Sequence, residues 1–168
     1  MEENRKVMES YGYTQTFSDY SKTIGMAGDS YFETLYSIYG PDYPANEIAP
    51  LSAQNCVERM MREGVPVKEG IPELLEFFRD HGIPCCVATS TKRKSALPML
   101  ENAGVLPYFS YVVTSEEVER SKPEPDIFLL ACERGDTSPE DSIVFEDSQN
   151  GVLAAFRAGI PVICIPDI

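Results

Sequence analysis

The chain has 168 residues, with 14 Lys+Arg against 27 Asp+Glu and one His, giving a formal net charge of -13 at pH 7. That length suits one domain, or one with a small insert, and a composition of 43% hydrophobic and 24% charged residues excludes disorder as the main state. The acidic balance, interrupted by no basic cluster longer than Lys92-Arg93-Lys94, argues against nucleic acid as a partner.

Residues 1–66 show apolar positions at helical spacing, such as Val7, Met8 and Tyr11, then Tyr31, Phe32, Leu35 and Tyr36, then Cys56, Val57, Met60 and Met61. This predicts about three helices, broken at Gly25 to Gly28 and at Gly40-Pro41-Asp42-Tyr43-Pro44, with the aromatics packed between them. After Gly64-Val65-Pro66, helices alternate with short apolar runs. A helix is expected from Gly70 to Gly82, with Pro72 near its first turn. Then follow strand 83–89, helix 95–103, strand 111–114, helix 126–134, strand 142–145, helix 151–158 closed by Gly159, and strand 162–165. Crossover helices between short strands imply a mostly parallel sheet covered on both faces. The expected organisation is a helical module over 1–66 and an α/β layer domain over 67–168.

No run approaches the roughly 18 apolar residues of a membrane-spanning helix, and the N-terminus lacks a signal-peptide pattern, so a cytoplasmic protein with no membrane partner is expected. The five cysteines have no CxxC spacing and are expected to be buried thiols in a reducing compartment. His81, at a helix end before Gly82, suits the carbonyl dipole and is given no catalytic role.

Ligands of open parallel sheets sit beyond the carboxyl ends of the strands. One apolar run ends in Thr89-Ser90-Thr91-Lys92, whose hydroxyls and N–H groups either hold a phosphate or cap the next helix. Another ends in Glu146-Asp147-Ser148. Adjacent carboxylates repel unless a cation compensates, and oxygen ligands suit Mg²⁺; alternatively Asp147 or Ser148 caps the following helix while Glu146 lies in solvent. Between them, the prolines of Ser121-Lys122-Pro123-Glu124-Pro125-Asp126 hold Lys122 extended, as a positioned cation or a plain surface lysine. No glycine-rich phosphate loop follows any strand, which disfavours a flavodoxin-like or nucleotide-binding domain.

Taken in order, these three segments resemble motifs two, three and four of the haloacid dehalogenase (HAD) superfamily. SKPEPDIF at 121–128 and FEDSQNGVLAAFRAG at 145–159 are similar to its phosphatase and β-phosphoglucomutase-like branch, with 1–66 matching that branch's helical cap domain. The resemblance implies an α/β fold with a Rossmann-like parallel-sheet core. It implies Mg²⁺-dependent hydrolysis of a small phosphorylated metabolite, with Thr89 and Ser90 binding the phosphoryl group, Lys122 neutralising charge, and Asp147 with Glu146 holding Mg²⁺.

Family members also carry an Asp-x-Asp nucleophile motif on a first, central strand, and no Asp-x-Asp occurs in these 168 residues; Asp19, Asp29 and Asp42 lack a preceding strand. By the resemblance, that strand would lie between the one ending at Thr89 and the one ending at Phe145, so its absence leaves two facing edges of unpaired backbone groups. With the early end at Pro166-Asp167-Ile168, the sequence reads as a portion of a longer protein, inactive without its nucleophile, or as a chain that rearranges its sheet or borrows a strand in a homo-oligomer. Mutase members place an Arg where this chain has Gly28, followed by Asp29, which favours phosphatase over sugar phosphomutase. A rival of another class is a non-catalytic phosphate- and metal-binding dimerisation protein.

Overall fold

The computed structural model describes residues 2–23 and 29–165. The expected break at Gly25 to Gly28, the Gly28 position and the end at 166–168 lie outside them. The chain divides into two compact units, Met1–Arg62 and Glu63–Ile168.

The first unit is helical: α1 (Glu2–Ser10), α2 (Phe17–Thr23), α3 (Asp29–Tyr39) and α4 (Ala45–Glu63). There are four helices rather than about three among the described residues, because Gly12 ends α1. At φ 81° it lets the Tyr13 N–H reach Met8 O at 2.9 Å, a left-handed closure that a side chain would strain. Val7, Met8, Leu35, Tyr43, Ala45 and Ile48 form the core. As expected, aromatics join the helices: Tyr13 meets Tyr43 edge-on at 4.9 Å, and Tyr39 stacks on Tyr43 at 4.8 Å. Burial pushes the Tyr43 hydroxyl far above its ordinary pKa, so this ring stays neutral.

The second unit runs α5 (Ile71–Asp80), β1 (Cys86–Thr89), α6 (Arg93–Asn102), β2 (Tyr111–Thr114), α7 (Asp126–Arg134), β3 (Val144–Glu146), α8 (Gln149–Arg157) and β4 (Val162–Cys164). Short 3-10 turns at Leu106–Tyr108, Ser115–Glu117 and Pro139–Asp141 link them. β1 pairs in parallel with β2, Cys86 opposite Tyr111 and Thr89 opposite Thr114, and β3 pairs in parallel with β4, Val144 opposite Val162. The strands are parallel, as expected, and form two two-stranded ribbons; no described strand joins β1 to β3, in keeping with the expected lack of a central strand.

Alternation along the strands sets the layers. Cys86, Ala88, Val113, Val144 and Val162 point to a core built with Ile127, Phe128 and Ala131 of α7 and Ala154 and Ala155 of α8. Each fully buried Val or Ile in such a core contributes about 1.5–3 kcal/mol. On the opposite side, Phe78 of α5 lies 6.2 Å from Phe145, while Phe145 and its register partner Ile163 stay 39% and 44% exposed. Of the five cysteines only Cys132 is buried, contrary to expectation; Cys56, Cys85 and Cys86 are half-buried and Cys164, on β4, is exposed. His81 stacks on Phe77 at 4.0 Å, and its Nδ1 lies 2.8 Å from Phe77 O, a local contact at the end of α5.

Candidate active site

At the carboxyl ends of β1 and β3 a cleft of about 480 Å³ is lined by Thr89, Ser90, Lys122, Glu146, Asp147 and Ser148, with apolar walls. The five residues singled out from sequence come together here, although they span 59 positions of chain (89 to 147). A larger depression of about 670 Å³ in the helical unit, lined by Asp19, Lys22 and Glu33, holds none of them.

Lys122 is the hub. Its side chain is only 9% exposed; it donates to Ala88 O of β1 at 3.1 Å, pairs with the Glu146 carboxylate, and lies 4.6 Å from the centre of the Phe128 ring. The ends of both ribbons therefore meet one ammonium group, which a solvated surface lysine would not do. The Lys122-Pro123 peptide is cis.

Glu146, also 9% exposed, does not lie in solvent. One oxygen takes Lys122, and the other accepts from the Ser148 hydroxyl at 3.1 Å and from the N–H groups of Asp147 and Ser148 at 3.2 and 3.4 Å. Its carboxylate rests against Gly151, where an added Cβ would overlap it, so this first-turn glycine of α8 makes room for the acid. Ser148 caps α8 by accepting the Gly151 N–H at 3.1 Å, and the neighbouring Asp147 is exposed to the cleft.

The Thr89 loop differs from a simple cap. Thr89 Oγ1 accepts the Thr91 N–H at 3.1 Å, and the N-cap residue of α6, Lys92, makes no side-chain cap. The helix is held instead from the end of β2: Glu116 accepts the Arg93 N–H at 2.8 Å. Glu117 accepts the Thr114 N–H at 2.8 Å, its hydroxyl at 3.1 Å, Arg93 at 3.0 Å and Arg134 at 2.9 Å. The Thr114 N–H, first, and then the two guanidinium groups pull the Glu117 carboxyl down from 4.5 to about 2. Sequence reasoning missed this acid, although Thr114 with Glu117 three residues on is the capping-box pattern.

Oxygen donors are the set that Mg²⁺ prefers, and it commonly uses one or two carboxylates with water and substrate phosphate rather than a full protein cage. Asp147, exposed to the cleft, fits that requirement, while the Glu146 carboxylate beside it is already engaged by Lys122 and Ser148, and no group of three or more acidic, His or Cys side chains forms a cage among the described residues.

Parallel βα units with a polar cleft at the strand ends define an α/β protein whose ligand site lies beyond the carboxyl ends of its strands. The chain belongs to the haloacid dehalogenase-like hydrolases, whose family model matches residues 2–165. It is 36% identical over 163 residues to a phosphorylated carbohydrates phosphatase of Thermotoga maritima, covering 93% of this chain and 72% of that protein. A family IA, variant 3 HAD hydrolase from Entamoeba histolytica superposes with a TM-score of 0.82 at 21% identity, covering 97% of this chain and 74% of the other. A β-phosphoglucomutase from Clostridium difficile gives 0.73 at 17% identity, covering 98% and 76%; these two likenesses show the fold. The family and its relatives support a phosphatase- or phosphoglucomutase-like function. No helix among the described residues is long and apolar enough to cross a membrane.

Proposed function

We propose that the chain forms the phosphate- and Mg²⁺-binding part of a phosphatase that hydrolyses esters of small phosphorylated metabolites in the cytoplasm. The observation that carries this reading is the meeting of Thr89, Ser90, Lys122, Glu146 and Asp147 around one cleft at the strand ends. In it, the Thr89 hydroxyl and the Ser90 N–H donate to phosphoryl oxygens, and Lys122 neutralises their charge. Asp147 holds Mg²⁺ with Glu146 beside it; the bound ion supplies Lewis-acid screening of the phosphate. Glu146 also keeps the Lys122 ammonium aimed at the cleft, and burial of that pair strengthens its field.

With no Asp-x-Asp in the sequence, the aspartyl nucleophile has no candidate here. The reading therefore expects phosphate binding without turnover from these 168 residues, and turnover once a strand bearing the motif is supplied. Calorimetric titration with inorganic phosphate and Mg²⁺, alongside a nitrophenyl phosphate assay, tests it. Saturable phosphate binding lost in Lys122→Met supports the reading; binding indifferent to that change refutes it.

The division into two ribbons favours a second reading, a non-catalytic phosphate-binding protein whose sheet is completed by another copy. A monomer in light scattering would exclude it.

A further inference from the structure

The loop that carries Thr89 and Ser90 is short, and a helix beginning with no local cap ordinarily frays. Here neither hydroxyl residue serves α6. Instead Glu116 takes the first N–H of that helix, and Glu117 takes the guanidinium group of the same residue, Arg93. Arg93 is fixed a third time by donating to Val112 O at 2.8 Å. Glu117 is itself held in place, because Thr114, fully buried at the end of β2, donates both its N–H and its hydroxyl to it. Five residues further along the chain lies Lys122. One carboxylate pair thus ties the start of α6 to the end of β2, next in the chain to the segment that leads to the buried ammonium.

We propose that Glu117, with Glu116, is a positioning residue that sets the Thr89–Ser90 loop against Lys122 by holding Arg93, sparing the loop's own hydroxyls for the anion. The inference rests on the phosphate-binding reading of the cleft and adds to it groups that do not line the cleft. Charge-assisted hydrogen bonds are the stronger class, and their removal frees the first turn of α6 rather than the core. Arg134 provides the contrast. It binds the other Glu117 oxygen from the last turn of α7, and no bond from it to the loop or to α6 is seen among the described residues.

The test compares Glu117→Gln, Glu116→Gln and Arg134→Gln with the unaltered chain, by amide hydrogen exchange and by titration with inorganic phosphate in the presence of Mg²⁺. Glu116→Gln takes the charge from a single cap, leaving only a neutral acceptor for the Arg93 N–H, and keeps the proposal testable if Glu117→Gln folds poorly. Both glutamate variants are expected to speed exchange at Thr91 and Arg93 and to weaken phosphate binding about tenfold, within the range that a small misplacement of a binding group produces. Arg134→Gln is expected to lower the melting temperature while leaving both readouts within about twofold. Unchanged exchange at Thr91 and Arg93 with unchanged phosphate affinity in both glutamate variants overturns the proposal. An equal loss in Arg134→Gln also overturns it, since the acids would then act only through general stability. Phosphate binding that Lys122→Met leaves intact overturns the reading of the cleft itself, and the proposal with it.

Discussion

Replacing Lys122 by Met removes a buried cation and leaves the Glu146 carboxylate, 9% exposed, with only hydroxyl and N–H donors. Breaking a buried pair from one side costs about 3–5 kcal/mol, and the donors around Glu146 put this variant at the lower end, about 3 kcal/mol. Glu146→Gln strands the ammonium against Ala88 O and the Phe128 ring, at a similar or larger cost. The double variant buries no net charge, and neutral replacements of buried pairs are often tolerated, so it is expected within about 1 kcal/mol of the unaltered chain. At about 2–4 °C of melting temperature per kcal/mol for a chain of this size, each single variant falls by about 6–12 °C while the double variant recovers most of it. Scanning calorimetry on the four proteins gives the coupling as a double-mutant cycle. Single effects that simply add in the double variant refute the claim that these charges depend on each other. Phosphate affinity is expected to stay lost in the double variant, separating what the lysine does for the cleft from what it does for folding.

Gly151→Ala pushes the Glu146 carboxylate aside, since the new Cβ overlaps it. A helical Gly→Ala change alone gains up to about 1 kcal/mol, so a fall in melting temperature with weakened phosphate binding is the expected outcome, and a rise would show that Glu146 needs no such room. Ser148→Ala removes the α8 cap and one donor to Glu146, for a loss of about 1 kcal/mol in urea unfolding. Acid sensitivity follows from Glu117. Its folded pKa, about 2, lies below the ordinary 4.5, so the unfolded chain takes up this proton first. The stability it supplies is complete above about pH 4.5 and is lost as pH falls towards 2, and Glu117→Gln is expected to flatten that part of the stability curve.

Local punctuation made much of the fold legible. Strand 111–114 and helix 126–134 have the bounds that the sequence predicts, the latter beginning just after Pro125 and ending before Gly135. The strand read from 83 starts only at Cys86: Pro84 has no N–H to donate, and the Ile83 N–H is spent on Phe78 O at 2.9 Å in closing α5. Helix α6 begins at Arg93 rather than Ser95, because its cap comes from Glu116, 23 positions away, where no local signal points back. In the candidate site the residue types and their order were visible, and partnerships over long separations were not. Lys122 finds Ala88 34 positions upstream and Glu146 24 downstream, and only the folded chain shows that this lysine is buried.

In the proposed site one hydroxyl, one ammonium and one carboxylate share a phosphate and a divalent cation. Titrating inorganic phosphate with and without Mg²⁺ into Thr89→Val, Lys122→Met and Asp147→Asn tests it most directly. The first two are expected to bind at least about tenfold more weakly than the unaltered chain, a change of about 1.4 kcal/mol or more, and the third to lose the Mg²⁺ dependence. Three variants that bind phosphate as the unaltered chain does, with the same response to Mg²⁺, would contradict it.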